Sequence, residues 1–136
     1  MNAYRGIFSP VCTPFSRNDQ SIEEDKLRNL IEFQLENGVH GIIPGGGTGE
    51  FAALSFEERK RVTEICVEQV NGRIPVMAHT GACSTREVIE LSKHAESVGC
   101  DSLMIVPPYY EVPTDDQLVA HYAAVSDAVP LPIMVY

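Results

Sequence analysis

The chain has 136 residues, 44% of them hydrophobic, and a formal net charge of -9, with 10 Lys and Arg against 19 Asp and Glu. That length makes about one domain with a buried core. The charge excludes a nucleic-acid surface: the single basic run, Arg59, Lys60 and Arg61, lies among glutamates and reads as a solvated helix face.

No apolar run approaches the roughly 18 residues of a membrane span, and the first residues show no signal-like apolar region. The expectation is a soluble, cytoplasmic protein without a membrane partner. Cys12, Cys66, Cys83 and Cys100 show no CxxC pairing and read as buried free thiols. No His, Cys and Asp share ligand spacing with a supporting third residue, so neither a metal nor another cofactor is expected.

In chain order, residues 6–13 form a strand-like run closed by Thr13-Pro14-Phe15. Ser21 followed three residues later by Glu24 is a helix-start box, after which Leu27, Leu30, Ile31 and Leu35 repeat at helical spacing up to Gly38. A second strand at 41–44 runs into a glycine corner, Gly45, Gly46, Gly47, Thr48 and Gly49. Those glycines permit positive φ and close approach of a ligand to the main chain, and Thr48 adds the one hydroxyl. Such a corner can cradle a phosphate or carboxylate on backbone N–H groups, or simply connect a strand to a helix.

Ser55 and Glu58 open the second helix, with Val62, Ile65, Cys66 and Val70 on one side and Asn71-Gly72 at its end. Residues 74–78 are the third strand, followed by His79-Thr80-Gly81, with His79 read as a cavity-lining residue. A box at Ser84 and Glu87 then leads a stripe of Val88, Leu91, Ala95 and Val98 ending at Gly99. Residues 102–106 form the fourth strand, left through Pro107-Pro108-Tyr109-Tyr110. Thr114 and Gln117 open the last helix, with Leu118, His121, Tyr122 and Val125 at helical spacing, and residues 133–136 begin a fifth strand.

The boxes recur at roughly 30-residue intervals, the length of one strand-helix unit. Short apolar strands, each followed by one amphipathic helix, imply a parallel sheet covered by helices. Two α/β architectures accept the pattern. One is the first half of a (β/α)8 TIM barrel, residues 1–136 then being a single partial domain of about four and a half βα units. The other is a doubly wound five-stranded parallel sheet. Ligands bind at the C-terminal strand ends in both, and the second would suit a noncatalytic anion-binding module.

The succession Thr13 to Phe15 (TPF), Gly46 to Glu50 (GGTGE), Leu54 to Arg59 (LSFEER), Pro75 to Ala78 (PVMA), Gly81 to Thr85 (GACST), Pro107 to Tyr110 (PPYY) and Leu131 to Tyr136 (LPIMVY) closely resembles the dihydrodipicolinate synthase and N-acetylneuraminate lyase family of Schiff-base class I aldolases. The resemblance spans nearly the whole chain. It implies a TIM barrel assembled as a homotetramer, and a lyase or synthase that forms, cleaves or dehydrates 2-oxo acids through a pyruvate-type Schiff base. It carries substrate-carboxylate binding onto Gly47 and Thr48, proton transfer onto Tyr136, and a relay role onto Tyr110, in many members across a subunit interface. Many members have Ser or Thr where this chain has Gly47, and a GGTGEF corner is similar to that of dehydratases acting on 5-dehydro-4-deoxyglucarate.

The family's imine-forming lysine lies on a sixth strand. Here Lys26, Lys60 and Lys93 all fall in helix segments beside glutamates. The expectation is an N-terminal half of a longer enzyme, inactive alone, with the lysine absent from these residues.

Overall fold

The computed structural model describes residues 4–136. Five short strands alternate with four helices: β1 (Phe8–Pro10), α1 (Glu24–Glu36), β2 (Gly41–Ile43), α2 (Phe56–Val70), β3 (Met77–His79), α3 (Thr85–Val98), β4 (Ser102–Ile105), α4 (Asp115–Ala128) and β5 (Ile133–Val135). Every strand pairing is parallel. β1 pairs with β2, β3 with β4 and β4 with β5, and a parallel bridge from Ile42 to Val76 joins the two groups.

The spatial order of the strands is therefore their order in the chain, with no reversal. A doubly wound sheet needs a point where the order switches, so that helices cover both faces. Sequential order with right-handed crossovers puts every helix on one face and curls the sheet, as in the first half of a (β/α)8 barrel. The helices pack accordingly, α1 on α2, α2 on α3 and α3 on α4.

The two faces of the sheet carry different residues, as strand alternation requires. Ile42, Ala78, Leu103 and Ile105 join the helix stripes, including Leu27, Ile31, Val62, Ile65, Cys66, Val88 and Val125, in the main core. Ile43, Met77 and Met104 point to the other face and form a small separate cluster with Phe8. That inner face is the floor of the site.

Three of the four helix starts form where the sequence places them. Ser55 and Thr114 make reciprocal capping boxes with Glu58 and Gln117, and the Ser84 hydroxyl accepts from the Glu87 amide. The expected box at Ser21 does not form. Ser21 belongs to a hairpin-like turn in which its carbonyl accepts from the Ser16 amide and its hydroxyl donates to Asp19. Ile22 bridges back to Phe15, so α1 starts later, with Glu23 at the cap position and no side-chain cap. Two cysteines also depart from expectation: Cys66 and Cys100 are buried, but Cys12 and Cys83 are exposed, and all four are free.

Candidate active site

The turns after the strands gather on one rim. Gly45 has φ of +64, and the corner behind it closes through the Gly49 and Phe51 amides donating to Gly46 O and the Glu50 amide to Gly47 O. The amides of Gly47 and Thr48 donate to no backbone carbonyl among the described residues. The corner is pinned to the β1 turn by the buried Thr13 hydroxyl, which donates to Gly49 O at 2.8 Å. Gly49 is required there: a Cβ would lie 2.9 Å from Val11 O and 3.3 Å from Thr13 Oγ1.

A cavity of about 330 Å³ opens over the inner face of the sheet. Its rim carries Gly46, Gly47, Thr48 and Tyr136, and its floor carries Ile43, His79 and Met104. Tyr136 is positioned by its own amide, which donates to Ile105 O at 3.1 Å, although 75% of the residue stays exposed. Thr48, Gly47 and Tyr136 are thus brought together. Tyr110 is not: it is 83% exposed and lies outside this cavity.

No lysine lines the cavity. Lys26 pairs with Glu23, and Lys60 with Glu57 at 3.2 Å and Glu90 at 3.8 Å, all outside the cavity lining. Lys93 lies on α3.

His79 lines the cavity as expected, 4% exposed, and neither ring nitrogen has a hydrogen-bond partner. Burial, and then the nearby Arg59 charge, push its pKa down to about 4, so the ring is neutral at ordinary pH. Phe51 packs against it with ring centroids 4.4 Å apart.

Arg59 departs from the sequence reading. It does not belong to a solvated face but is 8% exposed, and its Nη2 donates to the His79 carbonyl at 3.1 Å. The signal is present in the sequence, because Arg59 precedes Val62 and Cys66 on the inward stripe of α2. What hides it is the run of charged neighbours.

The profile of the Dihydrodipicolinate synthetase family matches residues 3–136. A 4-hydroxy-tetrahydrodipicolinate synthase of Phenylobacterium zucineum is 49% identical over 133 residues, which are 98% of this chain and 45% of that protein. Among solved structures, a chloride-inhibited dihydrodipicolinate synthase from Acinetobacter baumannii complexed with pyruvate superposes with a TM-score of 0.95 at 40% identity, covering 98% of this chain and 46% of that one. YagE of E. coli, a prophage protein of the dihydrodipicolinic acid synthase family in complex with pyruvate, superposes with a TM-score of 0.92 at 36% identity, covering 96% and 44%. The chain spans about half the length of the curated relatives it matches. Its strand order, its glycine corner and these likenesses agree, and the chain belongs to the dihydrodipicolinate synthetase family.

Proposed function

We propose that this chain supplies the carboxylate-holding and proton-moving part of a lyase or synthase that acts on pyruvate-type 2-oxo acids through a Schiff base. The observation that carries the reading is the cavity that joins Gly47 and Thr48 to Tyr136 over the inner face of the sheet. The free Gly47 and Thr48 amides and the Thr48 hydroxyl are donors suited to a carboxylate, and they stand at the C-terminal strand ends, where barrel enzymes bind.

In the chemistry proposed, a lysine imine withdraws electrons from the carbon beside the former carbonyl, so a carbon–carbon bond there can form or break. Tyr136 carries the proton at that carbon or its neighbouring oxygen. Tyr110, exposed and outside its own chain's cavity, completes the relay in a neighbouring copy of a homotetramer. The lysine is none of Lys26, Lys60 or Lys93, since all three lie on helices and none lines the cavity in which the imine would form. A Cβ at Gly47 would meet nothing within 4 Å, so the cavity holds room that a hydroxyl-bearing side chain would otherwise occupy. That room leaves the second substrate's identity to groups around the cavity mouth.

Borohydride reduction in the presence of pyruvate, read by intact mass and peptide mapping, tests the assignment. The expected result on this chain is no adduct on Lys26, Lys60 or Lys93. A reduced pyruvyl adduct on any of them would overturn it.

A further inference from the structure

Three of the side chains lining the inner-face cavity carry a hydrogen-bonding nitrogen or oxygen: Thr48, Tyr136 and His79. The others are glycine, proline or apolar, Ile43, Met104 and Val106 among them. Thr48 and Tyr136 have tasks in the function proposed above, and His79 has none. Strand alternation on β3 turns its ring to the same face as Met77 and away from Ala78. The residue is 4% exposed, and neither ring nitrogen has a hydrogen-bond partner among the described residues. The Gly45 carbonyl influences the ring without closing a hydrogen bond to it. Phe51 packs on the ring at 4.4 Å between centroids and offers it no nitrogen or oxygen. Buried polar groups are met by partners as a rule, so an imidazole left open toward a cavity marks the place of a ligand atom.

Position and charge narrow what that atom is. The His79 amide donates to Pro44 O at 3.1 Å, so β3 ends one strand away from the glycine corner, a spacing of about 4.8 Å. That separation suits an oxygen a few carbons along from a carboxylate at Gly47 and Thr48. Two glycines leave space for it: a Cβ at Gly81 would lie 3.1 Å from His79 Nε2, and a Cβ at Gly47 would meet nothing within 4 Å. Burial and then the Arg59 charge keep the ring neutral. A neutral imidazole has one N–H donor and one acceptor, and a hydroxyl can meet either, whereas an ionised carboxylate offers acceptors alone.

We propose that His79 is a specificity-determining residue whose imidazole hydrogen-bonds a hydroxyl on the fourth carbon of a 2-oxo acid, a role that rests on the carboxylate grip proposed at Gly47 and Thr48. The substrate class is then a 4-hydroxy-2-oxo acid. Such a molecule forms when the methyl carbon of pyruvate adds to an aldehyde, whose oxygen becomes that hydroxyl. A site built to hydrogen-bond a hydroxyl discriminates against the analogue lacking it, because its own polar group is then left unmet. Groups at the cavity mouth choose among such acids, and His79 selects for the hydroxyl they share.

The test titrates this chain with 4-hydroxy-2-oxopentanoate and with 2-oxopentanoate, which differ by that hydroxyl alone. Amide NMR follows Gly47 and Thr48, and nitrogen NMR follows the His79 ring. The hydroxy acid should bind about fivefold more tightly, as for one neutral hydrogen bond, and should move a His79 ring nitrogen that the plain acid leaves in place. His79→Phe should bring the two affinities together, and His79→Gln, which keeps a donor and an acceptor, should retain part of the preference. The ring signal is read on the unmodified chain, so it decides even where a variant fails to fold. Equal affinities for the two acids, or a ring unmoved by the hydroxy acid, would overturn the role of His79 and leave the carboxylate grip standing. Unshifted amides at Gly47 and Thr48 with both acids would overturn the grip itself, and this role with it.

Discussion

His79 shows most directly how one residue's environment fixes its chemistry. Its ring is buried without a partner, and burial followed by the Arg59 charge holds its pKa at about 4 rather than the ordinary 6.5. The unfolded chain binds a proton there below about pH 6.5 while the folded chain refuses one until about pH 4, so in that window the unfolded state holds more protons. Stability is complete above the window and is lost as pH falls through it. Urea unfolding at about pH 7 and about pH 5 should show a loss on the order of 2 kcal/mol attributable to this ring, absent from His79→Phe. Carboxylates that also weaken folding in acid are common to both proteins and cancel in the comparison. An equal pH dependence in the variant would contradict the assignment. The position of His79 at a strand end is legible in the sequence. Its neutrality is not, because that follows first from burial of the ring in the folded chain and then from Arg59, whose own burial the surrounding charged run conceals.

At the scale of elements, the capping boxes separate sequence pattern from realised structure. Ser21 with Glu24 and Ser55 with Glu58 have the same spacing, yet only the second closes a box. The difference lies outside the pattern: the turn through Ser16 and Asp19 engages Ser21 before a helix can use it. Thermal or urea unfolding should show Ser55→Ala and Thr114→Ala each losing about 1 kcal/mol, as for a lost N-cap. Ser21→Ala should change stability by less than about 0.5 kcal/mol. A cost at Ser21 equal to that at Ser55 would mean that α1 starts two residues earlier than described. The strands and helices themselves are legible because their apolar periods and glycine stops agree. Register and spatial order are not, since both architectures share the same local pattern and only the order in which the five strands pair separates them.

At the scale of the whole molecule, the described sheet has unpaired edges at β1 and β5. Met134 is exposed on the inner face of the last strand, Val135 is exposed on its other face, and Ile7 is exposed beside the first strand. Open edges with apolar side chains invite pairing with another chain. Sedimentation velocity across a concentration series should show this chain self-associating, and a monodisperse monomer throughout would contradict that reading.

The rim over the inner face is proposed to grip a small 2-oxo acid. That grip is measured most directly by a pyruvate titration followed by amide NMR, repeated on Thr48→Val. Saturable shifts should appear at Gly47, Thr48 and Tyr136 and weaken at least severalfold in the variant, as for a lost hydrogen bond to a charged group. Shifts confined to the opposite ends of the strands, or unchanged affinity in Thr48→Val, would contradict it.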